Sequence, residues 1–346
     1  MTATEWVAAL SPWPEEFGLD RMHELLAQLG NPERAYPSVH VVGTNGKSTA
    51  ARTIAALLRA EGLDVGAYTS PHVSGWHERL DTDPETFERA VARVRDAAER
   101  IGSTQFETLT AAALAEFAAR GVGVAVVEAG LGGRLDATNV LDSRVVHLTN
   151  VGLEHTDVLG GTREQIAREK LAVVKTGTAV VLGESGWEAY AWERGARAVV
   201  RGGAREAAET FLGRVIDHEP HVSLPGRFER RGGDELWDGA HTPEGVDWLL
   251  ARLPDREWVV LASVLGDKDV EGVLERLGRA GRTLVATRSS NERALGEKEL
   301  AARAEAYFDH VEALADPAAA LARARELGPV LATGSLYLLA DLYASS

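Results

Sequence analysis

Cysteine is absent from the 346-residue sequence, which excludes disulfides, zinc held by thiolates and catalysis by a cysteine nucleophile. Any metal must therefore sit on oxygen or imidazole. Long apolar runs are missing as well: none approaches the roughly 20 residues that cross a bilayer. The opening "MTATEWVAALSPWPEEFG" carries acids and prolines where a secretion signal needs a basic start and an apolar block. Together these features lead to the expectation of a cytoplasmic protein with no membrane partner. Basic charge is scarce too, with 37 Lys and Arg against 52 Asp and Glu for a formal net charge of −15. No basic stripe interrupts that excess, so nucleic acid is excluded as a partner, and an anionic substrate needs a locally basic pocket. Internal repeats, low-complexity tracts and coiled-coil heptads are also lacking.

What is present is a globular pattern, 45% hydrophobic and 26% charged, on a chain long enough for two domains. Short β-branched runs alternate with helical patterns: "VHVVG" at 39–43, "DVGAYTS" at 64–70, "VGVAVVEAG" at 122–130, "RVVHLTN" at 144–150 and "AVVLG" at 179–183. The rhythm weakens between Glu184 and Pro225; from Glu193 on, "ERGARAVVRGGAREAAETFLGRVIDHEPHVSLPG" leads to the expectation of one strand and one helix before a turn-rich passage. It restarts after "LPGRFE" with "ELWDG", "WVVLASV", "RTLVATRS", "HVEAL" and "PVLATGS". Strand-helix alternation of this kind predicts α/β units with mostly parallel sheets.

Five stretches carry candidate chemistry. "GTNGKST", after the first strand and before a helical pattern, is a phosphate-binding loop: backbone N–H groups and the helix N-terminus face anionic oxygens, Lys47 neutralises charge, and the hydroxyl of Ser48 or Thr49 is suited to Mg²⁺. Its spacing is short, since the usual leading glycine position is occupied by Val41. Glu128 closes a strand, where it is either a metal ligand or a solvated loop acid. His155 follows a strand as a loop histidine, a residue type that is more often a surface group than a Mg²⁺ ligand. Lys170 reads locally as a helix-end lysine whose stem covers apolar surface. Asp238 and His241, in "WDGAHTPEG", stand at a strand's mouth and either bind substrate or cap the helix begun by Pro243.

In order along the chain, "GTNGKST", "AYTSPHVSGWHERL", "FETLTAAALAEFA", "VVEAGLGGRLDATNV", "NVGLEHTDVLGGTREQIAREKLAVVK", "LPGRFE", "DGAHTPEG", "VLGDKD" and "GSLYLLADLY" make it similar to the folylpolyglutamate synthase/dihydrofolate synthase family, a branch of the Mur ligase superfamily. The short phosphate loop is that family's form. The resemblance implies a Mur-ligase-like P-loop ATPase domain over residues 1–224, with a mostly parallel sheet, and a smaller Rossmann-like C-terminal ligase domain over 225–346. It implies an ATP-dependent ligase of folate biosynthesis and polyglutamylation. Such an enzyme joins L-glutamate to a pterin-linked carboxylate, that of dihydropteroate, a reduced folate or both, through an acyl phosphate. A Mur-type ligase for another acid and amine, or a nucleotide-binding module without ligase activity, are the alternatives.

The resemblance also assigns roles. Gly43, Thr44, Asn45, Gly46, Lys47, Ser48 and Thr49, with Arg227 and Asp238, hold ATP. Ser48, Thr49, Glu128, His155 and Lys170 form two Mg²⁺ sites, with Lys170 carbamylated. Lys47, Lys170, Asp238 and His241 serve the reaction, while Ser70, Pro71, His72 and Arg79 handle the pterin substrate. Small molecules are the implied partners, and the chain is expected to be a monomer. It departs from the family pattern at Ser48, where glycine is usual, and at Thr242, where asparagine is usual. It is also shorter between Gly183 and Pro225, the stretch in which the family carries a segment that helps seat adenine.

Overall fold

The computed structural model describes residues 1–220 and 222–345. They fall into two compact units, one comprising Met1–His72 and Trp76–Val222, the other Val73–Gly75 and Ser223–Ser346.

The first unit is built on six strands: β1 (Ser38–Val42), β2 (Val65–Tyr68), β3 (Val124–Glu128), β4 (Val145–Leu148), β5 (Ala179–Leu182) and β6 (Ala198–Arg201). All pair in parallel, in the order β2-β3-β1-β4-β5-β6. Every residue of β1 to β5 is buried. That is why these strands read as unbroken aliphatic runs: helices cover both faces of a parallel sheet.

Side chains still alternate between the faces. Val39 and Val41 of β1, with Val124 and Val126 of β3, pack on the side of the helix Lys47–Ala60. Ala125 and Val127 pack on the opposite side, against helices that include Pro84–Ile101 and Gln105–Arg120. The latter helix is fixed at its start by reciprocal hydrogen bonds between Thr104 and Glu107, which satisfy N–H groups the helix itself leaves unpaired. The same alternation directs Glu128, two residues beyond Val126, toward the helix Lys47–Ala60.

The second unit holds β7 (Glu229–Arg230), β8 (Glu235–Trp237), β9 (Val259–Ala262), β10 (Thr283–Ala286), β11 (His310–Ala313) and β12 (Val330–Thr333). Their order is β11-β10-β9-β12-β8-β7. All pairs are parallel except β7 with β8, which is antiparallel. The two-residue β7 lies within "RFERRGG", where charges and glycines hide a strand from a hydrophobic-pattern reading. Among the described residues, no helix is long and apolar enough to cross a membrane.

Candidate active site

Three adjacent strands of the first unit, β3, β1 and β4, deliver their C-terminal ends to one place, the crevice where open α/β sheets bind ligands. From β1 the chain enters the loop Gly43–Gly46 and then the helix Lys47–Ala60. The segment after β4 braces that loop. Thr44 N–H donates to the Asn150 carbonyl at 3.0 Å, and Asn45 N–H to Asn150 Oδ1 at 2.9 Å. Gly152 N–H donates to Thr44 Oγ1 at 2.9 Å, and Thr149 Oγ1 to the Asn45 carbonyl at 2.8 Å. Gly43 has φ of +149°, and a Cβ there would overlap Thr149 Oγ1. The close approach of β1 to β4 therefore requires glycine.

Lys47 Nζ donates to the carbonyls of Gly43 at 2.9 Å and Thr44 at 3.0 Å, which holds its ammonium over the loop. The first N–H groups of the helix have no intrahelical acceptor, and with Lys47 they form a cationic cradle for phosphate oxygens.

At the end of β3, Glu128 is 1% exposed, so it is not a solvated loop acid. Its Oε1 accepts from Ser48 Oγ at 3.0 Å and its Oε2 from Ser70 N–H at 2.9 Å. Ser48 Oγ also lies 3.3 Å from the Ser70 carbonyl oxygen. Thr49 is exposed, and Ser48 is the hydroxyl that meets the carboxylate. Ser48 and Glu128 offer oxygen donors only, as Mg²⁺ prefers, and a nucleotide-bound Mg²⁺ needs only one or two protein carboxylates. Among the described residues no group of three or more His, Cys, Asp or Glu could hold a metal ion. A divalent cation here would thus rely on phosphate and water oxygens for its remaining ligands.

Lys170, near the end of the helix Arg163–Leu171, is also 1% exposed, unlike the solvent-reaching lysine that its local sequence suggests. Its Nζ donates to the Gly43 carbonyl at 2.8 Å and to Glu154 Oε1 at 2.6 Å. Burial, and then the neighbouring Lys47, push the ammonium down to about 8, against the pull of Glu154. Burial alone would raise Glu154, but Lys47, Lys170 and His155 together hold it below the usual carboxylate range. Gly133, in the loop after β3, lies against the backbone of the Lys170 helix: a Cβ there would stand 2.7 Å from the carbonyl oxygens of Glu169 and Lys170, so only glycine lets the loop pack there. His155 is exposed, with φ of +44°, at the start of the short helix Thr156–Leu159. Its neighbour Glu154 is the residue that reaches Lys170.

Ser70 and Pro71 are joined by a cis peptide bond, and Pro71 is exposed. His72 Nδ1 accepts from Arg79 Nε at 3.0 Å, and its ring lies 4.4 Å from that of Trp76. Burial, then the Arg79 and His77 charges, push His72 down to about 3. Its imidazole is therefore neutral, with Nε2 carrying the proton.

In the second unit, Asp238 follows β8 and is buried. It accepts from Phe228 N–H at 2.7 Å and Ala240 N–H at 2.9 Å. Burial raises its carboxyl, opposed by those N–H groups and the nearby Arg227. His241 Nδ1 donates to the Gly239 carbonyl at 2.8 Å, since a carbonyl only accepts. Arg227 Nη1 donates to the Gly226 carbonyl at 3.2 Å. Thr242, the departure from the family pattern, caps the helix Pro243–Leu250 through Gly245 N–H at 3.2 Å, as asparagine also would.

The first unit thus assembles Gly43–Ser48, Glu128, Ser70 and Lys170. Arg227, Asp238 and His241 form a separate cluster in the second. Glu154 and Asn150 escape sequence reasoning. Glu154 sits in the quoted "NVGLEHTD", but the more conspicuous His155 draws the attention.

Comparison with known proteins agrees with this architecture. Residues 41–224 match the family model described as Mur ligase middle domain, and residues 226–336 match that described as Mur ligase, glutamate ligase domain. Folylpolyglutamate synthase of Lacticaseibacillus casei is 32% identical, over 98% of this chain and 97% of that protein. The alignment spans 419 positions against a chain of 346 residues, so it opens gaps in this chain. Among solved structures, Escherichia coli FolC in complex with DHPP and ADP superposes with a TM-score of 0.87 at 27% identity, covering 100% of this chain and 97% of that one. The Yersinia pestis bifunctional folylpolyglutamate synthase/dihydrofolate synthase complexed with AMPPNP and Mn ion gives 0.85 at 27% identity, over 100% and 98%.

Proposed function

The chain belongs to the folylpolyglutamate synthase/dihydrofolate synthase family of Mur-type, ATP-dependent ligases, and from that premise we propose that it joins L-glutamate to a pterin-linked carboxylate through an acyl phosphate. The observation that carries this reading is the Glu128 carboxylate. One oxygen accepts from Ser48 of the phosphate loop and the other from Ser70 of the segment that handles the acid. One buried residue thus joins the loop for the phosphoryl donor to the loop for its acceptor.

The residue roles follow from charge and position. The N–H groups of the phosphate loop and Lys47 hold the nucleotide phosphates and offset charge on the γ-phosphoryl group as it transfers. Ser48 and Glu128 would hold a divalent cation, which when bound neutralises phosphate oxygens. Ser70, His72 and Arg79 position the acid, with Arg79 supplying positive charge for a carboxylate in a protein that is acidic overall. Arg227, Asp238 and His241 are assigned to the nucleotide and glutamate. No protein nucleophile is needed, because ATP activates the carboxylate and the glutamate amine attacks it, so catalysis rests on positioning.

Lys170 is assigned a carbamate in the working enzyme. A neutral amine adds CO₂ and releases a proton, and the ammonium depressed to about 8 supplies that amine near neutral pH. Its anionic oxygens would stand beside Glu154, so a divalent cation held between them is what the modification calls for.

Purified protein with Mg·ATP should release phosphate only when dihydropteroate or a folate and L-glutamate are both present. Release that ignores either substrate would overturn the reading.

A further inference from the structure

The helix that opens with Lys47 carries a second ladder of contacts below the phosphate loop. Ser48 and Arg52 are four residues apart and so share a face, and both address the segment from Thr69 to Asp81. Arg52 is 8% exposed, deep for a guanidinium, which is seldom buried unless paired. Its Nη2 donates to Thr69 Oγ1 at 3.2 Å and to the Glu78 carbonyl, and its Nη1 pairs with Asp81. Asp81 also pairs with Arg59, two turns further along the same helix. Arg52 Nε has no partner among the described residues. Thr69 N–H closes the segment by donating to the Arg79 carbonyl at 2.9 Å.

Arg52 therefore grips both ends of one loop. Thr69 is the residue before Ser70, and Glu78 the residue before Arg79. Ser70 and His72 stand between them, and Arg79 follows Glu78 directly. The grip is made by a rigid, planar group with forked donors, the arrangement in which arginine cannot be replaced by lysine.

We propose that Arg52 is a positioning residue that fixes the acid-binding loop to the phosphate-loop helix, so that occupancy of the nucleotide site and affinity for the acid substrate are coupled through it. The inference rests on the reading of Ser70, His72 and Arg79 as the acid site. A displacement of the phosphate-loop helix is carried to Thr69 and Glu78 through the guanidinium, and a loop closed on substrate holds the helix in return. Coupling of this kind is reciprocal: whatever factor nucleotide adds to acid affinity, acid adds to nucleotide affinity.

Removing the guanidinium outright would leave Asp81 short of a buried partner and endanger folding, so the test uses milder variants. Thr69→Val keeps the shape but loses the acceptor, Thr69→Ser keeps the acceptor, and Arg52→Lys keeps the charge but loses the fork. Steady-state kinetics are measured with ATP, L-glutamate and the acid varied in turn, and Mg·ADP affinity by calorimetry with and without the acid. Wild-type turnover in the same assay shows independently whether the ligase reading stands. Thr69→Val and Arg52→Lys should raise KM for the acid about ten- to a hundredfold, the range of a lost hydrogen bond to a charged group. Mg·ADP affinity without acid should stay within about twofold, and the acid's effect on it should shrink toward none. Thr69→Ser should behave as wild type. The proposal is overturned if wild type is active and Thr69→Val and Arg52→Lys retain its KM for the acid and its acid effect on Mg·ADP. It is equally overturned if both variants weaken Mg·ADP as much as the acid while melting earlier, the signature of general loosening.

Discussion

Lys170 sets the sharpest problem at the scale of single residues. An ammonium that is 1% exposed, with Glu154 and the Gly43 carbonyl as its acceptors, is a satisfied buried cation, and a carbamate at the same nitrogen is a buried anion. The two forms demand opposite surroundings. If the carbamate is the working form, ¹³C-bicarbonate should give a carbamate carbonyl signal in the NMR spectrum of the wild-type protein with Mg²⁺, absent from Lys170→Gln. Lys170→Ala should lose most activity and regain part of it with added formate or acetate. A wild type without the signal, with a Lys170→Ala variant that ligates at the parent rate, would return Lys170 to a structural ion pair. Its depth cannot be read from "REKLAVVK", because the groups that meet its ammonium, the Gly43 carbonyl and Glu154, come from other segments of the chain. Glu128 is different, since a carboxylate that ends an aliphatic run stands out in the sequence itself. Arg52 is hidden for a further reason: on an amphipathic helix an arginine reads as part of the solvated face.

At the scale of elements, β1 shows how a strand positions a loop it does not belong to. His40 points away from the helix Lys47–Ala60, and its Nε2 lies 2.8 Å from Thr138 Oγ1. That hydroxyl meets Asp136, whose carboxylate accepts from Leu131 N–H at 2.7 Å and Thr138 N–H at 3.0 Å. With Thr138 donating to the carboxylate, His40 Nε2–H is the donor and Nδ1 is unprotonated, without a partner among the described residues. The chain of contacts braces the loop that packs on Lys170.

Burial, then Lys175, push His40 from 6.5 down to about 3. Between those values the unfolded chain holds a proton that the folded protein does not. Stability is therefore lost as pH falls through this window, with a slope of at most about 1.4 kcal/mol per pH unit for one histidine. Urea unfolding at pH 7 and pH 5 should show a smaller loss for His40→Gln than for wild type; equal losses would contradict the assignment. The strands themselves are legible in the sequence because fully buried parallel strands are unbroken aliphatic runs. The two-residue β7 is not, and the contacts of Asp136 and Thr138 depend on register between loop and sheet, which no local pattern carries.

For the whole molecule, each of the two α/β units gathers its polar residues at strand ends: the phosphate loop linked through Glu128 to Ser70 in one, and the buried Asp238 with Arg227 and His241 in the other. Family, fold class and order of motifs are readable because most of the motifs, among them those at the ends of β1, β3, β4 and β8, follow a strand end, where the fold places its ligands. The central claim is that the acid's own carboxylate takes the phosphoryl group before glutamate attacks. The direct measurement is turnover of dihydropteroate labelled with ¹⁸O in its carboxylate, followed by mass analysis of the phosphate released. The account predicts one ¹⁸O per phosphate, carried over when the glutamate amine displaces the acyl phosphate. Phosphate without label would mean that water, and not the carboxylate, receives the phosphoryl group, and would contradict it.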